Sequence, residues 1–175
     1  MPKLLSHVPL VPLVAIGLVP VASAAEMNLK IEIPKQSVAE YHKPYVAAWI
    51  ERDDGSVVST VALWYEVRSR NNEGEKYLKD LRQWWRRTGR ELKVPADGLT
   101  GATRAPGEQQ VTVTDGKGAV PALTPGKYRL VVEAAREGGG RETVALPFAW
   151  PAAAGAVASA QGKEELGAVS LAVAP

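Results

Sequence analysis

Met27, Leu29, Ile31 and Ile33 alternate with Asn28, Lys30 and Glu32. A period of two places the four apolar side chains on one face of an extended strand and the polar ones on the other. A strand of this kind is stable only when its apolar face is covered, so the chain must build a sheet whose two faces differ. Pro34 ends the run, because it has no N–H to donate to a ladder. The pattern returns from Tyr45 to Ile50, with Val46, Ala48 and Ile50 on one face, and Asp53-Asp54-Gly55 follows as a hairpin turn. The stretch from Val57 to about Val67 is apolar on both faces, which predicts a central strand covered on both sides.

Strand character continues toward the C-terminus. Gln109 to Val113 is followed by the turn Asp115-Gly116-Lys117-Gly118. Lys127 to Ala134 places Tyr128, Leu130 and Val132 on one face, Gly138-Gly139-Gly140 closes a hairpin, and Arg141 to Phe148 pairs back. Ala152 to Gln161 reads as a small-residue connection, and Leu166 to Val173 as a last strand with Val169, Leu171 and Val173 on one side. About seven short strands with evenly spaced turns predict an antiparallel β-sandwich of immunoglobulin-like type.

One segment breaks the rhythm. Between Glu75 and Arg87 the apolar residues Tyr77, Leu78, Leu81, Trp84 and Trp85 recur every three or four positions among Lys76, Lys79, Asp80, Arg82, Arg86 and Arg87. This predicts an amphipathic helix of about three to four turns, with Gly89 as its stop. Adjacent helical residues lie about 100° apart, so one of Trp84 and Trp85 should stay partly exposed. An irregular stretch from Pro95 to Gly107 follows, and residues 68–108 form one long insertion between two strands of the sandwich. Long insertions on rigid scaffolds usually carry function.

The chain has no cysteine, which removes disulfides, thiolate metal sites, iron–sulfur clusters and thioether haem. The formal charge is +2, and losing Lys3 with a leader lowers it by one, which is no footprint for nucleic acid. Residues 1–25 read as a signal peptide: Lys3 opens it, an apolar stretch runs from Val8 to Val21, and Ala22, Ser23, Ala24 and Ala25 supply small residues for cleavage after Ala24 or Ala25. Pro9, Pro12 and Pro20 interrupt the apolar stretch, which is short for a membrane span. The expectation is an exported, periplasmic chain: one sandwich domain over residues 26–175 with no integral membrane segment once the leader is cleaved. His42 is the only histidine left after the leader, so a histidine metal cluster or a Ser-His-Asp triad is not expected.

Within the irregular stretch stand Asp97, Thr100, Gly101, Ala102 and Thr103, which read D-x-x-T-G-A-T. This resembles the acceptor motif of proteins that carry FMN covalently on a hydroxyl through a phosphoester bond, installed by an FAD:protein FMN transferase. Carried over position by position, the resemblance makes Thr103 the acceptor. Thr100 fills the Ser/Thr position, Gly101 and Ala102 the small residues, and Asp97 the leading acid. The chemistry suits these residue types. A phosphoester needs a side-chain hydroxyl, and small neighbours let another enzyme's backbone approach closely. The base that activates the hydroxyl would belong to the transferase. Trp64, Tyr65, Tyr77, Trp84 and Trp85 are candidates to cover a flavin ring, with Trp85 preferred as the tryptophan expected to be accessible. Arg86, Arg87, Arg90 and Arg104 are candidates to pair with the phosphate, Arg104 being next to the acceptor. Against this, tryptophans at helical spacing are ordinarily core and arginines ordinarily a solvated face.

The mature chain from about Met27 also resembles the predicted periplasmic proteins known as domain of unknown function 2271. The resemblance rests on Glu40-Tyr41-His42-Lys43-Pro44-Tyr45-Val46, Leu63-Trp64-Tyr65, Glu75 to Arg87, the Thr100-to-Gly107 loop and Leu166-Gly167-Ala168-Val169. It implies an immunoglobulin-like periplasmic protein in the company of PepSY-type membrane redox proteins and the FMN transferase. Two functions follow from these readings. One is a periplasmic flavoprotein that carries electrons for a membrane-associated redox system, more a carrier than an enzyme. The other is a non-redox binding module with Thr103 unmodified.

Overall fold

The computed structural model describes residues 25–153 and 155–174. The expected leader therefore lies outside the described residues, apart from Ala25. In chain order the strands are β1 (Glu26–Ile33), β2 (Tyr45–Arg52), β3 (Val57–Tyr65), β4 (Thr100–Ala102), β5 (Gly107–Thr114), β6 (Gly126–Ala135), β7 (Arg141–Trp150), β8 (Val157–Gln161) and β9 (Ala168–Ala174). They form a four-stranded sheet in the order β5-β1-β9-β8 and a five-stranded sheet in the order β4-β3-β2-β6-β7. The expected β-sandwich is the observed architecture.

The alternating residues of β1 do what their period dictates. Met27, Leu29, Ile31 and Ile33 are buried in the space between the sheets, where they meet Val46, Ile50, Leu130, Val132, Val169 and Leu171. β1 lies between β5 and β9, with Leu29 opposite both Val111 and Leu171. β2 is buried on both faces, because its other side turns Ala47 and Trp49 toward a second apolar cluster outside the sandwich. That cluster is closed by Leu78, Leu81 and Trp84 of the insertion, packed over Leu63, Tyr65 and Val131. The inner strands β2, β3 and β6 are thus covered on both faces, while the outer face of β7 stays exposed.

The insertion differs from the expected continuous helix. It is a 3-10 segment over Arg70–Asp80, then a short α-helix, α1 (Arg82–Trp84), which passes into a π-turn over Trp85–Gly89. Asn71 and Asn72 adopt left-handed φ angles of 52° and 56°, which asparagine tolerates better than most residues. Leu81, with ψ of 70°, separates the two helical pieces. The break has a clear partner. The buried carboxylate of Glu133 on β6 accepts the backbone N–H of Gln83 at 3.0 Å and of Trp84 at 2.8 Å. In an uninterrupted helix those N–H groups would bond to carbonyls one turn back. Trp84 is fully buried and donates from Nε1 to Thr60 Oγ1 at 3.0 Å, while Trp85 is half-buried. The last helical turn ends at Gly89, as expected, and Gly89 also serves packing: a Cβ there would lie 2.6 Å from the Trp84 ring.

Other boundaries moved for local reasons. β3 stops at Tyr65 and not Val67, because Val67 N–H turns back onto the Tyr65 carbonyl at 2.8 Å. Leu166 and Gly167 do not join β9. Glu142 Oε2 accepts the Leu166 N–H at 2.9 Å, and the Glu32 carbonyl accepts the Gly167 N–H at 2.8 Å. The connection expected over Ala152 to Gln161 contains β8. The stretch expected to be irregular from Pro95 to Gly107 contains β4, which pairs parallel to β3 at the sheet edge.

Candidate functional site

β4 fixes the motif in place. Thr100, Gly101 and Ala102 stand opposite Leu63, Trp64 and Tyr65, and the ladder extends at both ends through Leu63 N–H to Leu99 O at 2.8 Å and Thr103 N–H to Tyr65 O at 3.2 Å. Thr100 shapes the turn before the strand: its Oγ1 accepts the Ala96 N–H at 2.9 Å, and its own N–H returns to the Ala96 carbonyl. Gly98, with φ of +73°, follows the exposed Asp97 in that turn. Gly101 lies against Trp64, where a Cβ would come within 3.4 Å of the indole. The Arg104 guanidinium sits 5.3 Å above the same ring, a cation–π arrangement. Ala102 and Arg104 are exposed and Thr103 is half-buried.

Because β3 and β4 run parallel, both leave the sheet at the same end. There β2 begins, β6 ends and the Gly138-Gly139-Gly140 turn joins β6 to β7. These segments surround an open cleft of about 720 Å3, within the roughly 300–1,000 Å3 usual for small-molecule sites. Thr103 lines it, and among the described residues no protein group hydrogen-bonds its hydroxyl. Tyr45 lines it from the start of β2, Glu66 from the exit of β3, Tyr77 from the 3-10 segment, and Arg82 from the start of α1. Tyr41, His42 and Lys43 of the β1–β2 connection complete one rim.

The glycine turn is built around a buried ion pair. Arg136 donates to both oxygens of Glu165 at 2.9 and 3.0 Å, and Glu165 also accepts the Gly140 N–H at 2.7 Å. Gly138 has the positive φ, 65°, that the turn requires, and a Cβ on Gly139 would fall 2.3 Å from the Arg136 guanidinium carbon. One wall of the cleft is therefore backbone with almost no side chain.

The charges divide into committed and available ones. Arg136 is held by Glu165, and Arg141 lies 3.7 Å from Glu133. His42 lies 3.6 Å from Glu137 on the rim. Lys43 and Arg82 make no ion pair among the described residues, so they are the cations free to meet an anion in the cleft. Burial pushes the Tyr45 phenol up to about 12, against a hydrogen bond with the Glu66 backbone that lowers it and with the Glu66 and Glu137 carboxylates adding to the rise, and burial also raises Tyr41. Both phenols are thus neutral donors at ordinary pH. Tyr41 Oη is out of solvent and has no hydrogen-bond partner among the described residues, a state that costs roughly 1–3 kcal/mol.

Of the residues expected to hold the cofactor, Thr103 lines this cleft, as does Tyr77 among the aromatic candidates to cover a flavin ring. Asp97, Thr100, Gly101, Ala102 and Arg104 shape the strand that presents Thr103. Trp85 packs beside Trp84, with ring centroids 6.3 Å apart, and is not among the cleft-lining residues. Trp64 and Tyr65 are core residues. Arg87 is engaged by Glu51 at 3.3 Å and by the Gly55 carbonyl at 2.7 Å, and Arg86 Nε bonds the Arg82 carbonyl. Sequence reasoning missed the roles of Tyr41, Lys43, Tyr45 and Arg136. For Tyr41, Lys43 and Tyr45 the signal was the dense polar and aromatic stretch from Glu40 to Tyr45, and Arg136 had none.

Among the described residues, no group of three or more His, Asp or Glu could hold a metal ion, and no helix is long and apolar enough to cross a membrane. No curated protein and no solved structure matches the chain. The family described as "Predicted periplasmic protein (DUF2271)" matches residues 26–168, most of the chain, and the protein belongs to that family.

Proposed function

We propose that this is a periplasmic flavoprotein that carries FMN on Thr103 through a phosphoester and passes electrons within a membrane-associated redox system. The observation that carries the reading is the position of Thr103. The motif ends on a half-buried threonine whose hydroxyl has no hydrogen-bond partner among the described residues, at the rim of a ligand-sized cleft. A buried, hydrogen-bonded threonine would have been unsuited to modification. The fit extends to the charges, since Lys43 and Arg82 line the same cleft without an ion pair among the described residues, and a phosphodiester keeps a negative charge.

Attachment balances as a transfer. The Thr103 oxygen bonds to the phosphorus on the FMN side of FAD, the pyrophosphate P–O bond breaks, AMP leaves, and the hydroxyl proton passes to a base of the FMN transferase. No oxidation state changes. Once bound, FMN would supply one- and two-electron chemistry that the side chains of this cysteine-free chain do not. The chain's own part is to hold, shield and orient: β4 fixes the attachment point, Lys43 and Arg82 offset the phosphate charge, and the cleft walls limit water. A PepSY-type membrane protein is the partner that the family resemblance implies.

The test is intact mass after co-expression with an FMN transferase and export. Wild type should gain one FMN and turn yellow, and Thr103→Ala should gain nothing. An unmodified wild type beside an active transferase would leave the non-redox binding module as the reading of the cleft.

A further inference from the structure

We infer that Tyr77 and the Gly138-Gly139-Gly140 turn form the seat for the flavin ring, inside the cleft and not in open solvent. The inference rests on the reading of Thr103 as the attachment point. A phosphoester alone leaves the ring on a flexible ribityl chain, free to project into water or to fold back. The cleft gives reasons for the second.

Tyr77 is the first. It is 54% exposed, and of the large hydrophobic side chains found exposed among the described residues it alone is aromatic, beside Val38 and Val157. An exposed aromatic face on the wall of a concave site stacks well with a planar heterocycle. The glycine turn is the second. Gly139 is held so close to Arg136 that no side chain fits there, so this wall offers flat peptide groups to a flat ring. Neither the insertion nor the turn makes the seat alone. It exists because the 3-10 segment brings Tyr77 over the sheet end where β6 turns into β7.

The readout is flavin emission, which stacking on tyrosine quenches. In the flavinylated protein, emission should be several-fold below that of free FMN. Tyr77→Ala should recover most of it without changing the attached mass, and an exposed residue of this kind usually alters stability by about 0.5 kcal/mol or less. Unmodified Thr103→Ala, titrated with FMN, should still quench the probe, and adding Tyr77→Ala should weaken that binding about five-fold. Attached flavin that emits like free FMN and ignores Tyr77→Ala would overturn the seat while leaving attachment intact. Quenching of FMN by a protein that never gains mass would do the reverse, keeping the seat and removing the acceptor role of Thr103. No quenching in either form defeats the seat outright.

Discussion

The inner strands of the five-stranded sheet, β2, β3 and β6, are buried on both faces, yet the two faces are closed by different means. Toward the four-stranded sheet, Val46, Ile50, Leu130 and Val132 meet Ile31, Val169 and Leu171, a contact made of dispersion and apolar burial. Under the insertion, Trp49, Leu78, Leu81 and Trp84 share the space with buried Glu51, Thr60 and Glu133. Each of these polar groups is engaged. Glu51 accepts from Trp49 Nε1 at 2.7 Å and pairs with Arg87 and Arg129, Thr60 takes Trp84 Nε1, and Glu133 takes two backbone N–H groups. Apolar contact is non-directional, whereas hydrogen bonds fix distance and angle. The inner face therefore holds the sheets together, and the outer face holds the insertion in one place. That is the face whose edge positions Tyr77 and Arg82 beside Thr103.

The contrast can be broken most directly at Trp84. Trp84→Ala should cost about 3–5 kcal/mol in urea unfolding, as for any fully buried aromatic, while Arg86→Ala on the exposed side should cost about 0.5 kcal/mol or less. Equal costs would mean that the insertion is not a second core. Next is Glu133→Ala, which leaves the Gln83 and Trp84 N–H groups without their acceptor. A loss of about 1–3 kcal/mol is expected, with hydrogen exchange rising in residues 82–89 ahead of β1 and β9. Uniform exchange across both faces would show that the carboxylate does not hold the insertion in particular.

The smallest effect concerns acid. Burial works to raise the Glu142 carboxyl, but the N–H groups of Lys163, Glu164, Glu165 and Leu166 outweigh it and hold it below its ordinary 4.5. A carboxyl depressed in the folded state adds stability above its unfolded value, and that stability is lost as pH falls through the folded one. Wild type should thus be more stable than Glu142→Gln at neutral pH, and the gap should close as pH falls below the ordinary carboxylate range and through the depressed folded value. A gap that persists in acid would locate the effect in packing and not in charge.

The strands were legible wherever large apolar residues kept a period of two, as in β1, β6 and β9. β8 was not, because its contrast is inverted: Val157 points outward at 65% exposure while Ala158 and Ala160 face the core. In the insertion the buried face was legible and the continuity was not. Leu78, Leu81 and Trp84 are spaced by three, which is the 3-10 period, and reading that spacing as α-helical hid the break at Leu81. β4 is three residues of Thr, Gly and Ala whose pairing is set by the sheet edge and not by propensity. The motif made Thr103 visible. The cleft was not, since its walls come from connections far apart in the chain and take shape only when the sheet end, the insertion and the glycine turn meet.

The place of β1 between β5 and β9 also has a kinetic meaning. Met27 stands opposite Val113 and Val173, so the first described strand waits for partners far downstream. Non-local pairing of this sort slows folding relative to hairpins such as β2–β3 and β6–β7, which close over short loops. A chain delivered N-terminus first presents Met27, Leu29, Ile31 and Ile33 as a bare apolar edge until β5 and β9 arrive. That interval is when the protein is most prone to aggregate, and it lengthens with any delay in delivering the last strand.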